Sequence, residues 1–175
     1  MIATIPRVGE IIEMTVTPRP VGLAELFERH SDAVFRAALR ITGNPEDAED
    51  ALQTVFLRVL VQSSLADASS GRSAAYLRRA AVNAAVDLLR RRAVRAATVY
   101  DDEASHARVE SAPLLKEQLR RAITTLDPDD ASLFLLRHVE GLSNQELANL
   151  FQLEKNNVAV RLHRIRLRLQ AEMER

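Results

Sequence analysis

Apolar residues recur along the chain at the three- and four-residue spacing of amphipathic helices, which predicts a succession of helices. The first helix runs from Leu23 to Ile41 and ends at Gly43, because glycine suits a left-handed helix end. Asn44 and Pro45 predict the start of a second helix, with acidic residues in its first turn, where the helix dipole favours them. The second helix carries an apolar stripe made of Ala48, Ala51, Leu52, Val55, Phe56, Val59 and Leu60.

A third apolar pattern, from Ala74 to Val94, predicts a long helix that carries arginines near both ends. Residues 63–73 are small and polar, which predicts a loop before this helix. Residues 96–113 show no sustained period, and they are small, acidic and closed by a proline. We interpret them as a linker between two parts of the chain.

The carboxy-terminal part begins with two shorter helical patterns, the second of which starts at Asp127 and Pro128 and ends before Gly141. From Gly141 to Leu169 the pattern predicts two short helices that meet at a tight turn. Ser143 and Glu146 have the spacing of a capping box at the start of the first. The second buries a stripe made of Val158, Leu162, Ile165 and Leu169. Its other faces are polar and cationic, as in the recognition helix of a helix-turn-helix, although an ordinary solvated hairpin gives the same pattern.

The composition favours an all-α fold, since the chain of 175 residues holds only five glycines and 4% aromatic residues. We predict two small helical domains joined by a flexible linker. The predicted parts are an extension at 1–22, which we expect to be disordered, a first domain at 23–95, the linker at 96–113 and a second domain at 114–175. The amino-terminal stretch mixes acids and prolines with apolar residues, which fits neither a signal peptide nor a membrane span. With no cysteine in the chain, we expect a cytoplasmic protein without membrane insertion.

The net charge is zero, but the charges are unevenly distributed along the chain. Residues 71–95 hold seven arginines against one acid, and residues 154–175 hold six basic residues against three acids. Acidic stretches flank or separate these two basic blocks, which indicates two separate contacts with a polyanion such as DNA. Alternatively, the first basic block is an arginine-rich helix whose charges are simply solvated and bind no partner. The acidic residues of the second helix can likewise form a solvated face without a binding role.

The sequence contains none of the residue arrangements that are typical of a catalytic site. Its four histidines stand apart from one another, and no glycine-rich phosphate loop or nucleophile elbow occurs. Asp127, Asp129 and Asp130 lie close together but in the first turn of a helix, where neighbouring side chains point in different directions, so capping explains them better than a metal site. We therefore expect no enzymatic activity, no cofactor and no metal.

Four motifs resemble, in order and spacing, those of bacterial sigma-70-type factors of the extracytoplasmic-function (ECF) group. The motifs are GNPEDAEDALQTVFLRVL, AYLRRAAVNAAVDLLRRR, LDPDDASLFLLRHVEGLSNQELANLF and VRLHRIRLRL. The resemblance covers about Leu23 to Leu169. It implies the sigma region 2 and region 4 domains of a promoter-specificity subunit of RNA polymerase, which binds the beta-prime and beta subunits of the core enzyme and both double- and single-stranded promoter DNA. It also implies an anti-sigma factor as a further partner.

The resemblance further implies three sets of site residues. The set that contacts core polymerase is Asp47, Asp50, Gln53, Val55 and Phe56. The set that opens and reads the minus-ten element is Tyr76, Arg79, Asn83 and Arg90. The set that reads the minus-thirty-five element in the major groove is Lys155, Asn156, Asn157, Arg161 and Arg164.

The chain departs from the family pattern at several positions. Members of the family often carry tryptophan near Tyr76, glycine at the turn held here by Gln152, and serine or threonine where Glu154 stands. Ala159 and Val160 occupy positions where the family usually has small or basic residues facing DNA. Two alternatives therefore stay open, namely a stand-alone helix-turn-helix regulator and a sigma-like adaptor that no longer reads promoters.

Overall fold

The computed structural model describes residues 21–61, 71–99 and 112–174, and these residues form seven helices and no strand. The all-α prediction, with two helical domains, is confirmed. The helices are α1 (Val21–Thr42), α2 (Pro45–Val61), α3 (Gly71–Val99), α4 (Ala112–Thr124), α5 (Pro128–His138), α6 (Asn144–Phe151) and α7 (Lys155–Met173).

Helix α3 is longer than its sequence pattern predicts at both ends. It begins at Gly71, inside the predicted loop, and continues to Val99, inside the predicted linker. The extra residues are largely small or polar, so the apolar period that marks the middle of the helix does not reach them. The rest of the predicted loop, most of the linker and residues 1–20 of the predicted extension lie outside the described residues.

The first three helices pack into a bundle through small buried side chains. Each helix contacts the other two, and buried alanines occur on all of them, for example Ala37 on α1, Ala51 on α2 and Ala85 on α3. Side chains this small let helix axes approach closely. Gly43 ends α1 with a φ of 68°, and its amide donates to the Leu39 carbonyl at 2.8 Å, as a left-handed helix end requires.

Helices α4 to α7 form the second domain around a leucine-rich core. Asp127 caps α5 by accepting from the Asp129 amide at 3.0 Å, with Pro128 at the first helical position. The largest fully buried side chains of this domain come from α5, α6 and α7, and they are Leu133, Leu136, Leu147, Val158 and Ile165. The two helices of the predicted helix-turn-helix therefore share one core with α5.

The two domains are packed against each other. Helix α3 contacts α4 and α5 on one side while it contacts α1 and α2 on the other. Its buried residues accordingly cover much of its circumference, including both Ala85 and Val86. Within the described ranges, none of the helices has the length and apolar character needed to cross a membrane.

The turn between α6 and α7 depends on a non-glycine residue in a left-handed conformation. Gln152 has a φ of 55° and a ψ of 42°, a region that costs residues with a Cβ atom about 1–2 kcal/mol. We predict that Gln152→Gly raises the free energy of unfolding by about 0.5–1 kcal/mol, after allowance for the greater entropy of glycine in the unfolded chain. Urea or thermal unfolding monitored by circular dichroism measures the change.

Gln152→Ala is the matched control, because it removes the same side-chain atoms beyond Cβ but keeps the strain. A stabilisation by alanine equal to that by glycine would show that the left-handed conformation is not the cause.

Candidate nucleic-acid interface

The residues predicted to contact core polymerase all lie on or near α2, some of them buried in the core and others exposed on the surface. Val55 and Phe56 are buried, so they hold α2 in the bundle and present little surface to a partner. Asp47 is paired with Arg92 of α3 at 2.9 Å. Asp50 and Gln53 are exposed, and they lie three residues apart on the outward face of the helix.

The same outward face carries apolar residues that the sequence prediction missed or misplaced. Leu57, Leu60 and Val61 are 61%, 48% and 83% exposed, although the apolar pattern places Leu60 in the buried stripe. The error arises because Leu60 directly follows the buried Val59, and one residue turns a helix by about 100°. The sequence could have identified Leu57 as exposed, because it lies four residues after Gln53 and outside the buried stripe. Phe27 of α1 is also partly exposed and packs edge-on against Phe56, with ring centroids 4.8 Å apart.

The second set of predicted residues lies in one line on α3. Tyr76, Arg79, Asn83 and Arg90 follow one another at offsets of three, four and seven, so they share one helical face. All four are partly buried. We call this line, together with the buried Val86 between Asn83 and Arg90, the α3 polar stripe. From Arg79 to Arg90 the stripe faces the second domain, as the contacts of these residues show.

Arg79 makes the most extensive of these contacts. Its guanidinium donates to the Leu150 carbonyl of α6 at 3.1 Å and pairs with the Asp129 carboxylate of α5 at 3.2 Å. Its Cζ atom also lies 4.2 Å from the centroid of the Phe151 ring, within the range of a cation–π contact. A single arginine thus joins α3 to both α5 and α6.

Asn83 and Arg90 continue the contact along the stripe. The buried Ser132 hydroxyl of α5 donates to the Asn83 side-chain amide oxygen and also lies 2.8 Å from the Pro128 carbonyl. Arg90 donates to the Leu126 carbonyl at 2.7 Å and to the Thr124 carbonyl at 3.4 Å, at the end of α4. Both carbonyls belong to the last turn and the loop after α4, where backbone acceptors lack helical donors.

Helices α6 and α7 have the arrangement of a helix-turn-helix. The capping box is present, because the Ser143 hydroxyl accepts from the Glu146 amide at 3.2 Å and the Glu146 carboxylate accepts from the Ser143 amide at 2.8 Å. The hydrogen bonds that the backbone amide and the side chain of Ser143 make with the Glu146 carboxyl lower the pKa of Glu146, and the positive charge of Arg78 adds to the effect. Glu154 stands at the start of α7, and its side chain makes no capping hydrogen bond.

The outward face of α7 is largely free for a partner. Lys155, Asn156, Asn157 and Arg164 of the third predicted set are exposed, and Val160 lies among them, at helical spacing from Asn157 and Arg164. In the part of the chain that the structure describes, Arg164 forms no ion pair. The structure therefore brings together Asn156, Asn157 and Arg164 around one exposed valine, whereas Lys155 lies at the start of the helix on the side opposite Arg164.

Arg161, the remaining member of the third set, lies at the edge of this face. Its Nε is 2.5 Å from the Asp130 carboxylate of α5, and the same carboxylate lies 3.5 Å from Arg168. Asp130 is thus used to hold α5 against α7. The three neighbouring aspartates have separate roles, because Asp127 caps α5 and Asp129 pairs with Arg79.

His138, at the end of α5, adds no positive charge near neutral pH. Burial lowers its pKa below the ordinary value, and the charges of Arg166 and Arg137 lower it further. Arg166 is two residues from Arg164, which puts it about 200° around α7 from that residue. Its charge acts on His138 at the end of α5.

Two family models match the chain, one in each domain. The model described as Sigma-70 region 2 matches residues 26–95, and the model described as Sigma-70, region 4 matches residues 116–169. The α3 polar stripe lies in the first match, and the exposed face of α7 lies in the second.

Similar proteins were found among characterised sequences and solved structures. The chain is 30% identical to the ECF RNA polymerase sigma factor SigE of Mycolicibacterium smegmatis, over 83% of this chain and 59% of that protein. It is 31% identical to the RNA polymerase sigma-E factor of Streptomyces avermitilis, over 95% of this chain and 88% of that protein. Its fold is similar to that of the sigma factor RpoE, solved in complex with the anti-sigma factor NepR from Bartonella quintana, with a TM-score of 0.50, 20% identity and coverage of 86% and 96% of the two chains.

The capping box predicts a pH dependence. Because the pKa of Glu146 is lowered in the folded chain, its ionised carboxylate stabilises the fold above the ordinary pKa, and this contribution is lost as the pH falls through the lowered value. We predict that Ser143→Ala raises the pKa of Glu146 only part of the way towards its ordinary value, because the hydroxyl is lost while the backbone amide of residue 143, whose hydrogen bond lowers the pKa most, remains. NMR titration of the Glu146 side-chain carboxyl carbon measures it.

Ser143→Thr is the control, since it keeps a capping hydroxyl and should keep the pKa low. An unchanged pKa in Ser143→Ala would show that the Ser143 hydroxyl does not contribute to lowering it.

Proposed function

The chain belongs to the ECF group of sigma-70-type RNA polymerase sigma factors, and we propose that it directs promoter recognition through three surfaces, the outward faces of α2 and α7 and the α3 polar stripe. The outward face of α2 binds core polymerase, the α3 polar stripe binds the opened minus-ten element, and the outward face of α7 reads the minus-thirty-five element. The chain itself has no enzymatic activity in this proposal, and it acts in the cytoplasm, where polymerase and chromosome meet.

The observation that carries this proposal is the exposed polar face of α7 in a capped helix-turn-helix. Asn156 and Asn157 can pair with base edges, Arg164 can donate to guanine or to phosphate, and Val160 can contact a thymine methyl group. Lys155 at the amino-terminal end of the helix suits a phosphate contact. An ordinary solvated helix does not require an exposed valine at the centre of such a face.

The exposed residues of α2 support a protein partner. Asp50 and Gln53 adjoin Leu57, Leu60 and Val61 on one face, which combines polar groups with apolar surface that water solvates poorly. We propose that Asp50 and Gln53 contact polymerase directly, with the exposed leucines as the apolar part of the contact. Val55 and Phe56 then contribute by fixing the position of α2, and Asp47 by its pairing with Arg92.

The α3 polar stripe has the chemistry that a single strand requires. Arg79 and Arg90 supply positive charge for the phosphates, Tyr76 offers a ring for base stacking, and Asn83 offers an amide for a base edge. Unstacking a base costs a few kcal/mol, so several such contacts are needed to keep the strands open. An anti-sigma factor, such as the one bound to the Bartonella RpoE, is a further partner in this proposal.

Reconstitution with core polymerase tests the proposal. We expect the chain to co-migrate with core enzyme and to support transcription from a promoter selected by sequencing the DNA that the holoenzyme binds. A stand-alone regulator would instead bind duplex DNA without core, and an adaptor would bind a protein partner without supporting transcription. Either of these results would replace the proposal.

Arg164 and Arg166 allow a matched test of the α7 face. We predict that Arg164→Ala weakens binding of the holoenzyme to the selected duplex by about 1–3 kcal/mol, or roughly tenfold or more, because it removes a contact in the major groove. Arg166→Ala removes the same charge from the opposite side of α7 and should have a much smaller effect. Fluorescence anisotropy with labelled promoter DNA measures both variants, and equal losses would argue against this orientation of α7.

Leu57 allows a similar test of α2. We predict that Leu57→Ser weakens binding to core polymerase by about 1–2 kcal/mol, because Leu57 is 61% exposed and only that part of the free energy of burying a leucine side chain can be gained on binding. Leu115→Ser is the control, since Leu115 is a comparably exposed leucine on α4. Titration of labelled chain with core enzyme measures the two affinities. If the control loses as much affinity as Leu57→Ser, the contact does not lie on α2.

A further inference from the structure

Asp130 of α5 holds one arginine of α7 from the side. Its carboxylate accepts a hydrogen bond from the Arg161 Nε atom at 2.5 Å, and its second oxygen lies 3.5 Å from Arg168. The Asp130 side chain is only 15% exposed, and it stands in the first turn of α5, where the helix dipole favours negative charge. A fixed carboxylate therefore lies against Arg161.

This contact uses one part of the Arg161 guanidinium and leaves the rest available. Arginine has one N–H donor on Nε and two on each Nη atom. Asp130 accepts from Nε, and within the described residues no hydrogen bond involves Nη1 or Nη2 of Arg161. The side chain is also 35% exposed. Two parallel N–H groups can thus reach a partner outside the chain.

Arg161 adjoins the residues that are proposed to read duplex DNA. Asn157, Arg161 and Arg164 follow one another at offsets of four and three, so they are neighbours on the surface of α7. In the major groove, the base that accepts two parallel donors from one arginine is guanine, through its O6 and N7 atoms. An arginine that is already held at Nε has less conformational freedom to lose in such a contact.

Neither DNA affinity nor packing accounts for the carboxylate at this position. A negative charge close to a DNA-binding face repels phosphates, so Asp130 weakens binding to DNA of any sequence. The two helices that it links are already joined by apolar packing, since Leu136 of α5 and Val158 and Ile165 of α7 are buried in the same core. The orientation of Arg161 is the property that Asp130 controls directly.

We propose that Asp130 is a positioning residue, which directs the two Nη atoms of Arg161 at one guanine of the minus-thirty-five element. The inference rests on the proposed function of the α7 face. Arg161 touches the base, and Asp130 acts only through Arg161. Asp130 therefore strengthens binding to the correct sequence while its charge weakens binding to unrelated sequences. These opposite effects distinguish positioning from a structural role, which would act on all sequences alike.

The test uses holoenzyme assembled with the full-length chain and the promoter duplex that the wild-type holoenzyme selects. Each base pair of the minus-thirty-five element is replaced in turn, and fluorescence anisotropy measures the affinity for every duplex and for an unrelated one. The variants are Asp130→Asn, Arg161→Ala and the two combined. Asp127→Asn is the matched control, because it removes the same charge from the start of the same helix while asparagine still caps it. Circular dichroism and thermal unfolding establish that each variant folds.

We expect Arg161→Ala to weaken binding to the selected duplex by about tenfold or more and to abolish the preference for guanine at one base pair. Asp130→Asn should lose most of the preference at the same base pair, yet bind the unrelated duplex at least as tightly as wild type does. Asp130→Asn should have no further effect in the Arg161→Ala background, because its action passes through that side chain. The Asp127→Asn control should keep the wild-type preference.

Three results would overturn the inference. An equal loss for every duplex in Asp130→Asn, or additive losses in the combined variant, would make its role purely structural. A uniform loss in Arg161→Ala together with a weaker salt dependence would assign Arg161 to a phosphate. Loss of the guanine preference in Asp127→Asn would assign the effect to charge alone.

The same measurements keep the two proposals separate. If the holoenzyme selects a minus-thirty-five element and loses affinity for it in Arg164→Ala, the proposed function stands whatever Asp130→Asn does. A holoenzyme without any preference among the substituted duplexes removes both proposals.

Discussion

The structure depends on helix α3 being buried along two opposite sides. One side packs on α1 and α2 through small apolar residues such as Ala81 and Ala85, and the other side packs on the second domain through arginine and asparagine. The polar side is stable because its donors reach acceptors, since buried guanidinium groups without partners would be costly. The acceptors are mostly backbone carbonyls at the ends of helices, where none of the intrahelical donors is available. The position of one domain on the other thus follows from where α4 and α6 end.

In the proposed function helix α3 has both a structural and a binding role, and this arrangement is compatible with both. The residues that suit a single strand are long, flexible or planar donors, and such groups also suit exposed carbonyls. The α7 face differs, because four of its five predicted residues are exposed and the fifth, Arg161, is held by the Asp130 carboxylate. In the free chain, the proposed DNA-binding surface on α7 is therefore mostly exposed, whereas the one on α3 is partly buried.

Much of the fold could be predicted from the sequence, because apolar spacing and helix caps are local properties. The apolar stripe of α7, the capping box at Ser143 and the proline start of α5 were all recognisable from a few neighbouring residues. The ends of α3 could not be recognised from the sequence, because alanine, arginine and serine fit a helix end and a loop equally well. The exposure of Leu57 and Leu60 required knowing which face of α2 meets α1 and α3. The pairing of Arg79 with Asp129 joins residues 50 positions apart, so no local pattern could indicate it.

The acceptors that hold the α3 polar stripe also determine how ionic strength acts on the chain. Apart from the Asp129 carboxylate, the acceptors that hold Arg79 and Arg90 are backbone carbonyls, which carry no net charge, and partly buried contacts are screened much less than exposed ion pairs. Binding to DNA phosphates, in contrast, releases counterions and weakens steeply as salt rises. In the proposed function, rising salt therefore weakens DNA binding by Arg79 and Arg90 more than it weakens the contacts of these arginines with the second domain.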